Sequence, residues 1–154
     1  MLYLIEHKSY PDERGSYTPI KIDTFNKKWD QCCISINNNK FTFRGMHYQT
    51  DPAQTKYIKV VKGSIIDFAL DLETMQLDSI QVDTNHAVLV PNNMAHGFLT
   101  LEPDTIVAYL VEGEWNADSE HSIVWHSVPE LKDAIVSIIG SEQLTISEKD
   151  KRGK

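Results

Sequence analysis

The chain has 154 residues, carries a formal net charge of −7 at pH 7, and is 41% hydrophobic and 24% charged. This length suits one domain, residues 1–154, with a proper core, and no apolar run approaches the ~20 residues that a membrane-spanning helix needs. The acidic balance argues against general nucleic-acid binding, which requires a cationic footprint, but it leaves room for an anionic small ligand held by a few local cations.

The start, Met1 to Glu6, is too short and too quickly charged for a signal peptide, so a cytoplasmic protein without a membrane partner is expected. Leu2 to Glu6 reads as a first strand, and Tyr10 to Gly15 as a turn by composition. Tyr17 to Ile22 alternates weakly. Thr24 to Asp30 reads as a short helix with Thr24 at its N-cap. Cys32 to Ile36 is strand-like. Its adjacent cysteines are too close for an easy disulfide or a usual metal spacing, and they read as small hydrophobes of a buried strand. Asn37 to Asn39 forms a turn or loop.

The stretch Phe41 to Gly63 puts Arg44, His47 and Lys56 on consecutive β-like runs. A histidine can take a proton near neutral pH, and fixed cations beside it can hold an anion. Arg44 and His47 are three residues apart, so a regular strand would point them to opposite faces. Gly45 between them permits a bulge that re-aims one side chain. Tyr57 to Val61 and Ser64 to Leu70 flank Lys62-Gly63 and read as a hairpin with a two-residue loop. Its register would put Lys56, Ile58, Val60, Ile65, Asp67 and Ala69 on one face, with Lys56 and Asp67 within reach of an ion pair. An acid and a base on an otherwise apolar face point to a wet cavity.

Ile80 to Val82 and Ala87 to Val90 are further short strands, and Pro91 to Asn93 is a turn. Met94 to Leu99 enters another strand with a second histidine, His96. Thr105 to Val111 alternates, with Tyr109 on the face of Val107 and Val111. Ser122 to Trp125 is one more strand. From Pro129 onward the tail has helical stretches. Many short strands separated by Gly, Pro and Asn turns predict an all-β sandwich, jelly roll or small barrel.

Several separated motifs then fall into register with one known family. The runs Arg44-Gly45-Met46-His47-Tyr48-Gln49, Ala53-Gln54-Thr55-Lys56 and Val61-Lys62-Gly63 with Asp67 through Asp71 come first. Val90-Pro91, Ala95-His96-Gly97-Phe98, Tyr109, Ser122-Ile123-Val124-Trp125 and Leu144 to Asp150 follow. Together they resemble the dTDP-4-dehydrorhamnose 3,5-epimerase family over nearly the whole chain. The resemblance implies a cupin-type jelly roll with short C-terminal helical segments, normally a homodimer. It implies a nucleotide-linked 4-keto-6-deoxy sugar as substrate, epimerised at carbons flanking the ketone, with no cofactor and no metal.

By the same resemblance His47 is the general base, Asp150 the carboxylate that pairs with it, and Tyr109 the acid on the opposite face. Lys56 is the cation beside the keto oxygen. Arg44, Gln49, Asp67 and His96 belong to the substrate site, Arg14 meets the diphosphate, and Trp115 packs on the nucleobase. Two departures stand out: Glu114-Trp115 where the family usually has two adjacent aromatics, and a shorter segment from Leu72 to His86.

The chemistry needs these groups. A proton next to a ketone is weakly acidic, so charge developing on the keto oxygen must be stabilised, and inversion requires a second proton-carrying group on the other face. Rival readings are a metal-dependent cupin, a non-catalytic sugar-nucleotide binder and a single-carbon epimerase. Cupin metal sites usually begin with His-x-His, and here the corresponding residues are His47-Tyr48-Gln49. The remaining histidines, His7, His86, His121 and His126, read as surface or structural.

Overall fold

A computed structural model describes residues 1–20 and 26–153. Twelve strands are formed among them. Two five-stranded antiparallel sheets lie face to face. The first has the order β1 (Tyr3–Glu6), β9 (His86–Val90), β6 (Thr55–Lys62), β11 (Thr105–Glu112), β4 (Gln31–Asn37). The second has the order β12 (Glu120–Ser122), β5 (Phe43–Gln49), β10 (Met94–Thr100), β7 (Ile65–Asp71), β8 (Leu77–Val82). A small hairpin of β2 (Tyr10–Asp12) and β3 (Gly15–Tyr17) stands apart from both. This is the expected all-β jelly roll.

The sandwich interior is filled from both sheets. Ile58 and Val60 of β6, Val88 and Val90 of β9 and Val107 of β11 meet Ile65 and Ala69 of β7, Val82 of β8 and Phe98 of β10. Alternation along each strand puts every second side chain there. The second sheet is also covered on its outer face. Helix α1 (Pro129–Ile139) lays Leu131 and Ile135, one helical turn apart, against Phe43, Met46, Phe68, Leu70 and Leu99. β10 is therefore buried along its whole length, which is why its sequence does not alternate.

Several pairings differ from the expected ones. The strands flanking Lys62-Gly63 do not form a hairpin: β6 pairs with β9 and β11, whereas β7 pairs with β8 and β10. Lys62 to Ser64 is a corner between the sheets. The predicted face is nevertheless the inward one, because Ile58, Val60, Ile65, Asp67 and Ala69 are all buried. Lys56 and Asp67 form no ion pair; Asp67 pairs with His96 instead. Tyr10 to Gly15 is the β2–β3 hairpin rather than a turn alone. The strand expected over Ser122 to Trp125 is β12, ending at Ser122, followed by a 3-10 turn at Trp125–Ser127.

Residues 26–30 are not helical, and the Thr24 N-cap lies outside the described residues. β4 is an edge strand, so Cys32 is exposed on the outer surface and Cys33 only partly covered. Sheet order, which single-strand patterning does not carry, decides this.

Candidate active site

The site begins at Gly45. His96 pairs with His47, and Phe98 with Arg44, so two residues of β5 oppose one of β10. The extra residue is a bulge. Gly45 adopts φ +130, and a Cβ there would lie 2.6 Å from the Gly97 Cα, so only glycine fits both the backbone and the close approach. The bulge turns Arg44 and His47 toward one cavity, as the spacing of the two residues required.

The C-terminal segment then docks on β5. Thr145 exchanges backbone hydrogen bonds with Phe41 and Phe43 at 2.9 Å. Ser147 caps the short helix α2 (Glu148–Arg152), accepting from the Asp150 N–H at 3.1 Å. Asp150 thereby faces β5, where one oxygen accepts from the Gly45 N–H at 3.1 Å and the other lies 2.6 Å from His47 Nε2. Burial pushes the Asp150 carboxyl up, but the His47 hydrogen bond and charge, the Gly45 N–H and Lys149 together hold it below the usual carboxylate range. An ionised carboxylate only accepts, so Nε2 carries the proton, and the lone pair of the neutral imidazole sits on Nδ1.

The cavity between the sheets has two lobes. One, of about 250 Å³, is lined by Arg44, His47, Lys56, His96, Phe98, Tyr109, Ser147, Lys149 and Asp150. The other, of about 230 Å³, is lined by Gln31, Cys33, His47, Tyr48, Gln54, Lys56, Tyr109, Val111, Trp115 and Glu120. His47, Lys56 and Tyr109 belong to both and stand at the junction. His47 enters from the second sheet, and Lys56 and Tyr109 from the first. Lys56 pairs with Val111, so Tyr109 is its diagonal neighbour on the same face.

Burial lowers the Lys56 ammonium below the ordinary lysine value, an effect opposed by the charges of Glu120 and Asp67. Burial raises the Tyr109 phenol, and Cys33 adds to that. Tyr109 therefore keeps its proton at neutral pH.

The other expected residues divide. Arg44 spans the gap between the sheets, donating from Nε to Asn37 Oδ1 at 2.7 Å and from its guanidinium to the Ile36 carbonyl at 3.3 Å. His96 lines the cavity and bonds Asp67 Oδ1 at 2.6 Å. Asp67 is fully buried with its other oxygen unpartnered, so it supports His96 rather than touching the cavity. Gln49 is likewise committed: its amide donates to the Pro52 and Glu114 carbonyls at 2.7 and 2.8 Å, and its oxygen accepts from the Asn116 N–H at 2.9 Å. It fixes the loop that carries Trp115, which stands 61% exposed at the rim of the second lobe. Arg14 sits at the tip of the β2–β3 hairpin, paired with Asp12 and 84% exposed, outside both lobes.

Sequence reasoning missed Glu120 and Lys149, which pair at 3.2 Å and face one lobe each. Burial pushes the Glu120 carboxyl up, but Lys149, His47 and Trp115 together outweigh it and the net shift is downward. Both charges read as ordinary surface; only the position of Lys149 beside Asp150 could have flagged one of them. His7, His86, His121 and His126 line neither lobe. They are occupied with Tyr57, Asp83, Tyr48 and Trp125 respectively. Among the described residues, no group of three or more His, Cys, Asp or Glu is placed to hold a metal ion.

Comparison with known proteins adds three findings. The model of the dTDP-4-dehydrorhamnose 3,5-epimerase family matches residues 1–154. A protein of that name from Pseudomonas aeruginosa is 26% identical, with 98% of this chain and 88% of the relative covered. Two crystal structures superpose closely. The dTDP-4-dehydrorhamnose 3,5-epimerase of Bacillus anthracis with TDP and PPi bound gives TM-score 0.81 at 27% identity, covering 97% of this chain and 91% of that one. The dTDP-6-deoxy-D-glucose-3,5-epimerase of Legionella pneumophila in complex with dTDP-4-keto-L-rhamnose gives 0.84 at 26% identity, covering 99% and 86%.

Proposed function

The chain belongs to the dTDP-4-dehydrorhamnose 3,5-epimerase family, and from that premise we propose that it epimerises the carbons flanking the ketone of a dTDP-linked 4-keto-6-deoxy sugar. The observation that carries the reading is the opposition of His47 and Tyr109 across the junction of the two lobes. His47 Nδ1 takes the proton from the carbon next to the ketone, and the electron pair moves to the keto oxygen. Lys56 meets the charge on that oxygen. Tyr109 returns a proton from the other face; solvent then restores the phenol, and His47 gives up its proton to solvent. The ligands in the Bacillus and Legionella structures support a dTDP-sugar here. Besides Lys56, the first lobe is lined by the cations Arg44 and Lys149, suited to an anionic or oxygen-rich substrate portion. Trp115 offers the second lobe a flat face for a base.

Proton NMR of candidate 4-keto-6-deoxy nucleotide sugars in D2O tests this. Loss of the C3 and C5 proton signals of the dTDP sugar, with new stereochemistry, is the expected result. Retention of both signals on every nucleotide sugar would refute it.

The reading includes a homodimer. Ile34, Ile36 and Val61 are 69%, 60% and 55% exposed on the first sheet, and β4 leaves one edge of that sheet unpaired among the described residues. Such an edge and such apolar area are normally covered. A dimer is expected by sedimentation at micromolar concentration, and a monomer there would contradict it. A cytoplasmic location fits two free cysteines and the absence, among the described residues, of a helix long and apolar enough to cross a membrane.

A further inference from the structure

A proton donor must be aimed as well as protonated. Tyr109 lies on β11 directly opposite Cys33 of β4, and both side chains face the second lobe of the cavity. The facing positions set the thiol beside the phenol on one wall of that lobe. The neighbouring Cys32 points the other way, to the outer surface. Alternation on an edge strand thus delivers one sulfur to the cavity wall beside the tyrosine.

We infer that Cys33 is a positioning residue for Tyr109: its sulfur accepts the phenol's hydrogen bond and holds the hydroxyl oriented and protonated at the lobe junction. The catalytic consequence rests on the reaction proposed above; the hydrogen bond itself does not. The residue type suits the place. Burial pushes the Cys33 thiol up, so it is neutral at physiological pH. A neutral sulfur can accept from the phenol without drawing the Lys56 ammonium away from the substrate, as a carboxylate there would. A hydrogen bond donated by the phenol stabilises its protonated form, so removing the acceptor lowers the pH at which Tyr109 ionises.

The test uses the full chain with Cys33→Ala and Cys33→Ser and two readouts. The first is the ionisation midpoint of Tyr109, from 13Cζ-tyrosine NMR with the resonance assigned through Tyr109→Phe. Cys33→Ala should lower the midpoint, and Cys33→Ser, which keeps an acceptor, should restore it. The second is the ratio of inversion to deuterium exchange on the keto sugar. Cys33→Ala should lower this ratio about fivefold, the worth of one ordinary hydrogen bond, while exchange itself stays at the wild-type rate. Cys33→Ser should recover most of the loss, which a merely structural role would not predict. Cys33→Val, similar in volume but without an acceptor, gives the same two readouts if the alanine variant does not fold. An unmoved midpoint together with an unchanged ratio overturns the inference. If the wild type neither exchanges nor inverts, the proposed reaction fails, and the midpoint alone then decides whether Cys33 holds Tyr109.

Discussion

Replacing His47 by Asn is expected to abolish both deuterium exchange and epimerisation, with a loss at the upper end of the roughly 10²–10⁴-fold range for a general base. Asn keeps a polar side chain that can still meet Asp150, so the docking of α2 on β5 is preserved. What it lacks is a nitrogen that can accept a proton near neutral pH. His47 is the imidazole at the lobe junction whose proton is assigned, through Nε2, to a buried carboxylate. The check is paired: the rate of deuterium wash-in at carbon, and the thermal unfolding midpoint. Near wild-type exchange in the variant would remove His47 from the base role.

Replacing Lys56 by Met is expected to lower the rate about 10²–10³-fold, the usual effect of losing one group that stabilises a developing oxyanion. Met has a similar length and leaves the partly buried position filled. Exchange and inversion should fall together, because Lys56 serves the enolate common to both. The same residue predicts the alkaline limb of the pH–rate profile. Burial holds the Lys56 ammonium below the ordinary value of 10.5. Its charge, and with it the oxyanion stabilisation, is present below that lowered value and lost as pH rises through it. Tyr109 is shifted the opposite way, above 10.0. The limb should therefore lie below 10.5 and move upward in Lys56→Arg. A limb unmoved in Lys56→Arg would assign it to another group.

Faces were legible in the sequence and partners were not. A period of two placed Lys56, Ile58 and Val60 inward, and Ile65, Asp67 and Ala69 inward, correctly. The same period is compatible with a hairpin or with two strands that part at a corner and face each other across the sandwich. Lys62-Gly63 permits either, and the pairing of β6 with β11 and of β7 with β10 decides. The run Cys32 to Ile36 looks like a core strand because its composition is apolar; its position at a sheet edge is set by distant strands. The meeting of Arg44 and His47 was readable because glycine between them permits a bulge. That of His47 and Asp150 came from family resemblance, since 103 residues separate them. Glu120 and Lys149 stayed hidden because a charge inside a cavity and a charge in solvent look alike along the chain.

The central claim is that two groups on opposite walls handle the proton, and the Tyr109→Phe variant tests it most directly. The measurement is deuterium wash-in at carbon against product stereochemistry, on a single keto-sugar substrate in D2O. Without the phenol, the carbanion still forms at His47 and is reprotonated from the same face. The expected result is substantial exchange with retained configuration and an inversion rate reduced much further. Exchange lost as completely as in the His47→Asn variant, or inversion at the wild-type ratio to exchange, would contradict the assignment.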